Sequence, residues 1–121
     1  MCIDIVVADD DPGFRDMAAR LLVSRGLRVV AEAGDGASAL AAVRAHRPCG
    51  LLLDLHLPDV DGISVARQLT DEGDRPRVVL TSTDKLYLPR EELVSAGIEA
   101  FVTKDMLFDA DLPGLFARSA H

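Results

Sequence analysis

Short apolar runs alternate along the chain with segments whose composition or apolar spacing is typical of helices. Five of the runs have the composition of buried strands. They cover residues 3–8, 27–33, 51–54, 78–80 and 100–103. Because a helix-like segment follows each run, the pattern predicts βα units that build one parallel sheet with helices on both faces.

The first helix-like segment carries the clearest periodicity. Its apolar residues recur at positions i, i+3, i+4, i+7 and i+8. They are Phe14, Met17, Ala18, Leu21 and Leu22. Asp11 and Pro12 are typical of a helix start, and Gly26 is typical of the position just past a helix end. Four further helices, five in all, are predicted over residues 37–45, 64–70, 89–96 and 112–118.

Size and charge favour one domain in the cytoplasm. At 121 residues the chain fits a single domain, which we expect to span residues 1–121. A net charge of -7 repels phosphate backbones and anionic lipids, so we expect this domain to bind neither nucleic acid nor a membrane. No apolar stretch approaches a membrane span, and Asp4 stands where a signal peptide would have a basic flank. We expect Cys2 and Cys49 to be reduced thiols.

Polar residues stand at the carboxyl ends of four predicted strands. Asp54 ends the third strand and Lys104 follows the fifth. The others are Asp9 and Asp10 after the first strand and Thr81 after the fourth. In doubly wound sheets ligands bind at this edge, so we expect the five side chains to converge there.

These side chains together suit phosphoryl chemistry. Asp9 and Asp10 supply oxygen ligands of the kind that Mg²⁺ prefers, and Asp54 would complete the site. A carboxylate is also a competent nucleophile toward phosphorus, which makes Asp54 the candidate acceptor. Lys104 would place a positive charge, and Thr81 a hydroxyl donor, beside the phosphoryl oxygens. Each residue alone has an ordinary interpretation as a cap, a strand end or a surface cation, so the prediction rests on their combination.

The segment after Asp54 contains further polar residues that we interpret differently. Asp59 and Asp61 precede Gly62, and turn chemistry explains them better than catalysis does. The side chain of His56 is interpreted as a modulating or packing group rather than a catalytic one.

Four motifs occur in order along the chain. They are VADDDP at residues 7–12, LLDLHLPDVDG at 52–62, LTS at 80–82 and FVTK at 101–104. Together they resemble the receiver domain of two-component response regulators, and the resemblance covers nearly the whole chain. It implies a flavodoxin-like fold, in which a doubly wound, five-stranded parallel sheet is combined with five helices.

The resemblance also implies a phosphoacceptor with Mg²⁺ as its cofactor, and not an enzyme. Asp54 would accept a phosphoryl group from a sensor histidine kinase. Asp10, Asp54 and the backbone carbonyl of His56 would bind Mg²⁺ directly. Asp9 would act through water or as a second carboxylate on the metal side.

A conformational switch is a further implication of the resemblance. Thr81 and Lys104 would contact the phosphoryl group. Movement of Thr81 would then let Phe101 turn inward and rearrange the face made by the fourth helix, the fifth strand and the fifth helix.

The Lys104-Asp105 pair resembles the nitrate-response regulator-like subclass, whose receivers are joined to helix-turn-helix domains. This favours a DNA-binding, transcriptional output domain in a longer chain over a stand-alone receiver, and homodimerisation is expected as a further interaction. Pro89 is expected to shorten the fourth helix, and the Pro113-Gly114 pair is expected to weaken the last one.

Two other functions stay open on the sequence. A receiver-like interaction module regulated without phosphorylation would keep the shape of the domain without its chemistry. A phosphatase with Asp54 as nucleophile is the less favoured alternative. Such enzymes often carry a second aspartate two residues further on, where this chain has His56.

Overall fold

Five strands form one parallel sheet. The computed structural model describes residues 3–74, 76–84 and 88–117. Its strands are β1 (Asp4–Ala8), β2 (Arg28–Ala33), β3 (Gly50–Asp54), β4 (Arg77–Ser82) and β5 (Ile98–Thr103). They pair in the order β2-β1-β3-β4-β5, and every pair is parallel. The order changes direction between β1 and β3, which confirms the predicted doubly wound, flavodoxin-like sheet.

The predicted helices are present, and one helical segment is additional. The α-helices are α1 (Pro12–Ser24), α2 (Gly36–His46), α3 (Gly62–Asp71), α4 (Arg90–Ser95) and α5 (Leu112–Phe116). A 3-10 helix, Lys104–Asp109, separates β5 from α5 and was not predicted. No helix in the described ranges is long and apolar enough to cross a membrane.

The two last α-helices are short. Helix α4 has six residues and begins directly after Pro89, as expected from the ring of that proline. Helix α5 has five residues and ends at Phe116, which is earlier than the predicted range 112–118. Residue 118 itself lies outside the described residues.

The core consists of two apolar layers, one on each face of the sheet. Val6 and Ala8 of β1 belong to the layer that α2 and α3 cover. Ile5 and Val7 alternate with them and belong to the layer that α1, the 3-10 helix and α5 cover. Strand β3 is buried at every position, as expected for a central strand with helices on both sides.

The start and the end of α1 follow the sequence signals. The side chain of Asp11 accepts a hydrogen bond from the backbone N–H of Gly13 at 3.0 Å. Gly26 has a φ of 87°, the left-handed conformation that glycine adopts readily after a helix.

The prediction of reduced thiols is wrong for Cys49, which is disulfide-bonded; Cys2 lies outside the described residues.

The short helix α5 is held by burial. The side chains of Leu112 and Phe116 are fully buried. The ring of Phe116 lies so close to Gly50 that a Cβ atom on that glycine would collide with it. Because five residues cannot sustain a helix by themselves, contact with the sheet must supply most of its stability.

Replacement of Phe116 by Ala tests this dependence. We expect the free energy of unfolding to fall by about 3–5 kcal/mol, because a large buried ring leaves a cavity behind. Phe108→Ala is the matched control, since the side chain of Phe108 is 45% exposed. We expect this substitution to lower the free energy of unfolding by less than about 1 kcal/mol. Urea denaturation measures both variants. An equal effect of the two substitutions would contradict the burial argument.

Candidate functional site

Three carboxylates meet at the carboxyl edge of the sheet. Strands β1 and β3 are neighbours, with Ala8 opposite Leu53, so the residues that follow these two lie side by side. One oxygen from each of Asp9, Asp10 and Asp54 lies within 4.8 Å of the others. Asp9 and Asp54 are buried, whereas Asp10 is exposed. The structure thus brings together the three acidic residues that the sequence singled out.

Asp9 is fixed from several directions. Its Oδ1 accepts a hydrogen bond from the backbone N–H of Asp11 at 2.9 Å. Its Oδ2 lies 2.7 Å from Nζ of Lys104. Its backbone carbonyl accepts a hydrogen bond from Nη1 of Arg15 at 2.7 Å. These contacts hold the β1–α1 connection, and with it Asp10, against the end of the sheet.

Lys104 supplies the positive charge of the site. Its Nζ lies 3.6 Å from Oδ2 of Asp54 and 4.3 Å from the ring centroid of Phe14, on α1. The ring adds a cation–π contact on the apolar side of the ammonium. Burial alone would lower the pKa of Lys104, but the hydrogen bond to Asp9 and the charges of both carboxylates raise the pKa above its usual value. Lys104 is therefore fully charged at neutral pH.

Asp54 stands in an environment that disfavours its negative charge. Burial raises the pKa of this carboxyl, and the neighbouring Asp9 carboxylate raises it further. The backbone N–H of His56, 3.2 Å from Oδ1 of Asp54, and the ammonium of Lys104 act in the opposite direction without cancelling the rise. Bound positive charge beside Asp54 would relieve this unfavourable balance.

The donor set fits a divalent cation of the Mg²⁺ type. Three carboxylates lie together here, and the one ammonium of Lys104 pairs with two of them, Asp9 and Asp54, so negative charge is in excess at this edge. All three offer hard oxygen atoms, and the exposed Asp10 leaves the cluster open to solvent. Mg²⁺ prefers such ligands and usually retains several water molecules.

A tight loop after β3 places His56 beside the cluster. The backbone N–H of Gly62 donates to the carbonyl of Leu55 at 2.7 Å, and His56 forms an isolated bridge with Asp61. A Cβ atom on Gly62 would lie 2.5 Å from the backbone carbonyl oxygen of Asp54, so only glycine allows the loop to close in this way. The side chain of His56 is exposed. The role of its backbone carbonyl as a metal ligand stays a prediction.

Thr81 and Phe101 lie next to the site on the two following strands. Thr81 is paired with Asp54 across β3 and β4, and its side chain is buried. Its hydroxyl donates to the backbone carbonyl of Leu53 at 3.4 Å. Phe101 is half-buried and pairs with Leu80. Their predicted roles as switch residues stay predictions.

Asp59 makes a contact that local turn rules did not predict. Its two carboxylate oxygens accept hydrogen bonds from the backbone N–H groups of Gly36, at 2.7 Å, and Ala37, at 3.0 Å. These groups begin α2, so Asp59 ties the β3–α3 loop to a helix distant in sequence. The bond from Gly36 is the main reason that the pKa of Asp59 lies below its usual value. Asp61, in contrast, caps its own helix through the N–H of Ser64 at 2.8 Å.

Comparison with known proteins identifies the family. The sequence model described as "Response regulator receiver domain" matches residues 5–112. "Probable transcriptional regulatory protein NarL" of Mycobacterium tuberculosis is 36% identical over 104 residues, which are 85% of this chain and 48% of that protein. "Protein-glutamate methylesterase/protein-glutamine glutaminase 3" of Hahella chejuensis is 32% identical over 84 residues, 69% of this chain and 24% of that protein.

Solved structures agree with this assignment. The signal receiver domain of the response regulator NarL from Mycobacterium tuberculosis gives a TM-score of 0.79 at 34% identity, covering 97% of this chain and 98% of that one. A LuxR-family two-component response regulator from Aurantimonas sp. SI85-9A1 gives 0.82 at 28% identity, covering 95% and 86%. The likeness to NarL confirms the predicted subclass. The chain spans about half the length of the curated NarL and about a quarter of the methylesterase.

The contact between Asp59 and α2 predicts a pH-dependent loss of stability in Asp59→Asn. An amide keeps only one acceptor oxygen and no charge, so we expect a lower midpoint of thermal unfolding at pH 7. Because the pKa of Asp59 is lowered by folding, its contribution is complete above the unfolded value of about 4 and is lost as the pH falls through the folded value. The difference between the two proteins should therefore shrink in acid.

Asp16→Asn is the control for this series, because it removes an exposed aspartate whose ion pair with Arg20 lies at the surface. We expect little change in its midpoint at any pH. If the difference in unfolding midpoint between wild type and Asp59→Asn stayed unchanged at low pH, the charge of Asp59 would not be what stabilises the start of α2.

Proposed function

This chain belongs to the response regulator receiver family, and on that premise we propose that it is the phosphoacceptor domain of a two-component signalling protein. The supporting observation is the position of Asp54, whose carboxylate clusters with those of Asp9 and Asp10 and lies 3.6 Å from the ammonium of Lys104. A nucleophile, a cation site and a phosphoryl-binding charge thus meet at one edge of the sheet. A sensor histidine kinase is the proposed donor.

The proposed reaction is a direct phosphoryl transfer. An oxygen of Asp54 forms a bond to phosphorus while the bond from phosphorus to the donor atom breaks. The donor leaves with the electron pair and takes a proton from solvent. Lys104 needs only a short movement from Asp54 to contact a phosphoryl oxygen, because its Nζ already lies 3.6 Å from the carboxylate. The transfer consumes the acceptor site, so this domain is not an enzyme with free turnover.

Mg²⁺ is the proposed cofactor. Asp10, Asp54 and the backbone carbonyl of His56 would hold it, and Asp9 would act through water or as a second carboxylate. When bound, the ion supplies positive charge that offsets the charge of the phosphoryl group and of the carboxylates. The excess of carboxylates over ammonium at this edge supports the proposal.

The proposed switch begins at Thr81. In the structure its hydroxyl donates to the carbonyl of Leu53, a partner that it must leave to reach a phosphoryl oxygen on Asp54. The strand register brings Phe101 beside Leu80, one residue before Thr81. In the proposed switch, a shift of Thr81 toward the phosphoryl group would let the ring of Phe101 turn inward and change the surface formed by α4, β5 and α5.

We propose that residues 1–121 form one receiver domain of a cytoplasmic protein, with a DNA-binding transcriptional output domain in a longer chain. The likeness to NarL supports this. Homodimerisation would occur through the switching face, although α4 and α5 offer only six and five residues to it. The net charge of -7 argues against direct binding of nucleic acid or anionic membrane by this domain.

Intact-mass spectrometry after incubation with acetyl phosphate tests the acceptor assignment. Wild type should gain one phosphoryl group, and the gain should require Mg²⁺. Asp54→Asn should gain none, because the nucleophile is removed. Asp16→Asn is the matched control and should be labelled like wild type, since Asp16 is exposed on α1.

The other outcomes separate the alternatives. Labelling that survives Asp54→Asn would exclude Asp54 as the acceptor. Continuous release of inorganic phosphate from a phosphoester would indicate a phosphatase. A folded wild-type protein that takes up no phosphoryl group from acetyl phosphate or from histidine kinases would indicate an interaction module regulated without phosphorylation.

A further inference from the structure

The segment that carries Lys104 has little support of its own. Lys104 is the first residue of a six-residue 3-10 helix, and such helices rarely exceed three or four residues because their hydrogen bonds are poorly aligned. The side chain of Thr103 makes no capping bond at its start. Helix α5, which follows, has only five residues. Contacts from elsewhere must therefore keep this segment, and the ammonium at its start, in place.

Arg25 makes such a contact from the far end of α1. Its Nη2 donates to the carbonyl of Phe108 at 2.6 Å, and its Nη1 donates to the carbonyl of Ala110 at 2.9 Å. Both acceptors lie at the end of the 3-10 helix, where carbonyl groups lack partners within the helix. A guanidinium suits this pair of carbonyls, since it presents several donors in one rigid plane.

Helix α1 consequently contacts the Lys104 segment at two separated points. Phe14, in its first turns, lies under the ammonium of Lys104 at 4.3 Å. Arg25, directly after its last residue, binds the other end of the same segment. Between them, Leu107 is fully buried in the layer that includes Leu22 of α1. One helix therefore contacts both ends of the segment and helps to fix its position.

We propose that Arg25 is a positioning residue for phosphoryl binding, and that it acts through Lys104. By holding the carbonyls of Phe108 and Ala110, it fixes the 3-10 helix so that the ammonium stays beside Asp54. Arg25 itself touches no group of the acidic site. The functional part of this inference rests on the proposed phosphoacceptor function, whereas the placement of Lys104 does not.

Arg25→Met tests the proposal, because methionine retains an unbranched apolar stem without the donors. The first readout is the NMR signal of the Lys104 ε-protons in protein with labelled lysine. The chain has two lysines, Lys85 and Lys104, so the spectrum is simple to assign. A proton above an aromatic ring is shifted upfield, and we expect Arg25→Met to reduce this shift. Phe14→Leu identifies the signal, since it removes the ring.

The second readout is the affinity for beryllofluoride in the presence of Mg²⁺, measured by calorimetry. We expect Arg25→Met to weaken it by about three- to tenfold, the order expected when exposed hydrogen bonds from a charged donor are lost. Arg25→Lys can reach only one carbonyl and should give an intermediate value. Arg20→Met, on the same helix but paired only with Asp16 among the described residues, is the matched control and should behave like wild type.

Two comparisons decide whether the effect is specific. The affinity for Mg²⁺ alone should not fall in Arg25→Met, because no cluster carboxylate contacts Arg25 and a displaced ammonium repels the cation less; a general loss of structure would weaken both affinities. In a Lys104→Met background, adding Arg25→Met should change beryllofluoride affinity by less than about twofold, since the residue through which it acts is gone. A full additional effect in that background would overturn the proposal.

The two readouts also separate this inference from the proposed function. If wild type fails to bind beryllofluoride, the proposed function is wrong. The NMR shift of Lys104 then still tests whether Arg25 positions Lys104. An upfield shift of Lys104 that is identical in wild type and Arg25→Met would refute the positioning role. If wild type binds beryllofluoride and Arg25→Met loses the upfield shift but binds beryllofluoride equally well, the functional part of the inference is refuted.

Discussion

The contact between the ammonium of Lys104 and two buried carboxylates is the interaction on which the site depends. Asp9 and Asp54 are almost without solvent exposure, and a buried carboxylate is stable only with compensating charge or hydrogen bonds. Lys104 provides part of that compensation at 2.7 and 3.6 Å. The third carboxylate, Asp10, leaves negative charge in excess. The same excess of negative charge that makes the carboxylate cluster unfavourable by itself would be relieved by a divalent cation.

Much of the fold serves to hold these charges at one edge. Strand order places β1 beside β3, and the parallel register aligns the ends from which Asp9 and Asp54 project. The loop after β3 is closed by Gly62 and tied to α2 through Asp59. The apolar layers on both faces exclude water from the two buried carboxylates, which strengthens each electrostatic contact. The positions of the charged groups therefore depend on the whole sheet and not on one sequence motif.

The sequence was sufficient for the elements and for the acidic cluster, because both depend on local signals. Apolar runs that end in Asp54 or precede Lys104 identify strand ends, and strand ends of a parallel sheet share one edge. The 3-10 helix was missed since it has weak local propensity and depends on burial of Leu107. The contacts of Asp59 and Arg25 join residues 22 to 85 positions apart, which no local pattern encodes.

The most direct test of the central claim is calorimetric titration of Mg²⁺ into wild type and Lys104→Met at neutral pH. If excess negative charge draws the cation, removal of the ammonium should tighten Mg²⁺ binding, by roughly tenfold for about 1.4 kcal/mol of lost repulsion. Folding of the variant is checked by circular dichroism. Weaker Mg²⁺ binding by a folded Lys104→Met protein would contradict the account, because the ammonium would then assist the metal site instead of competing with it.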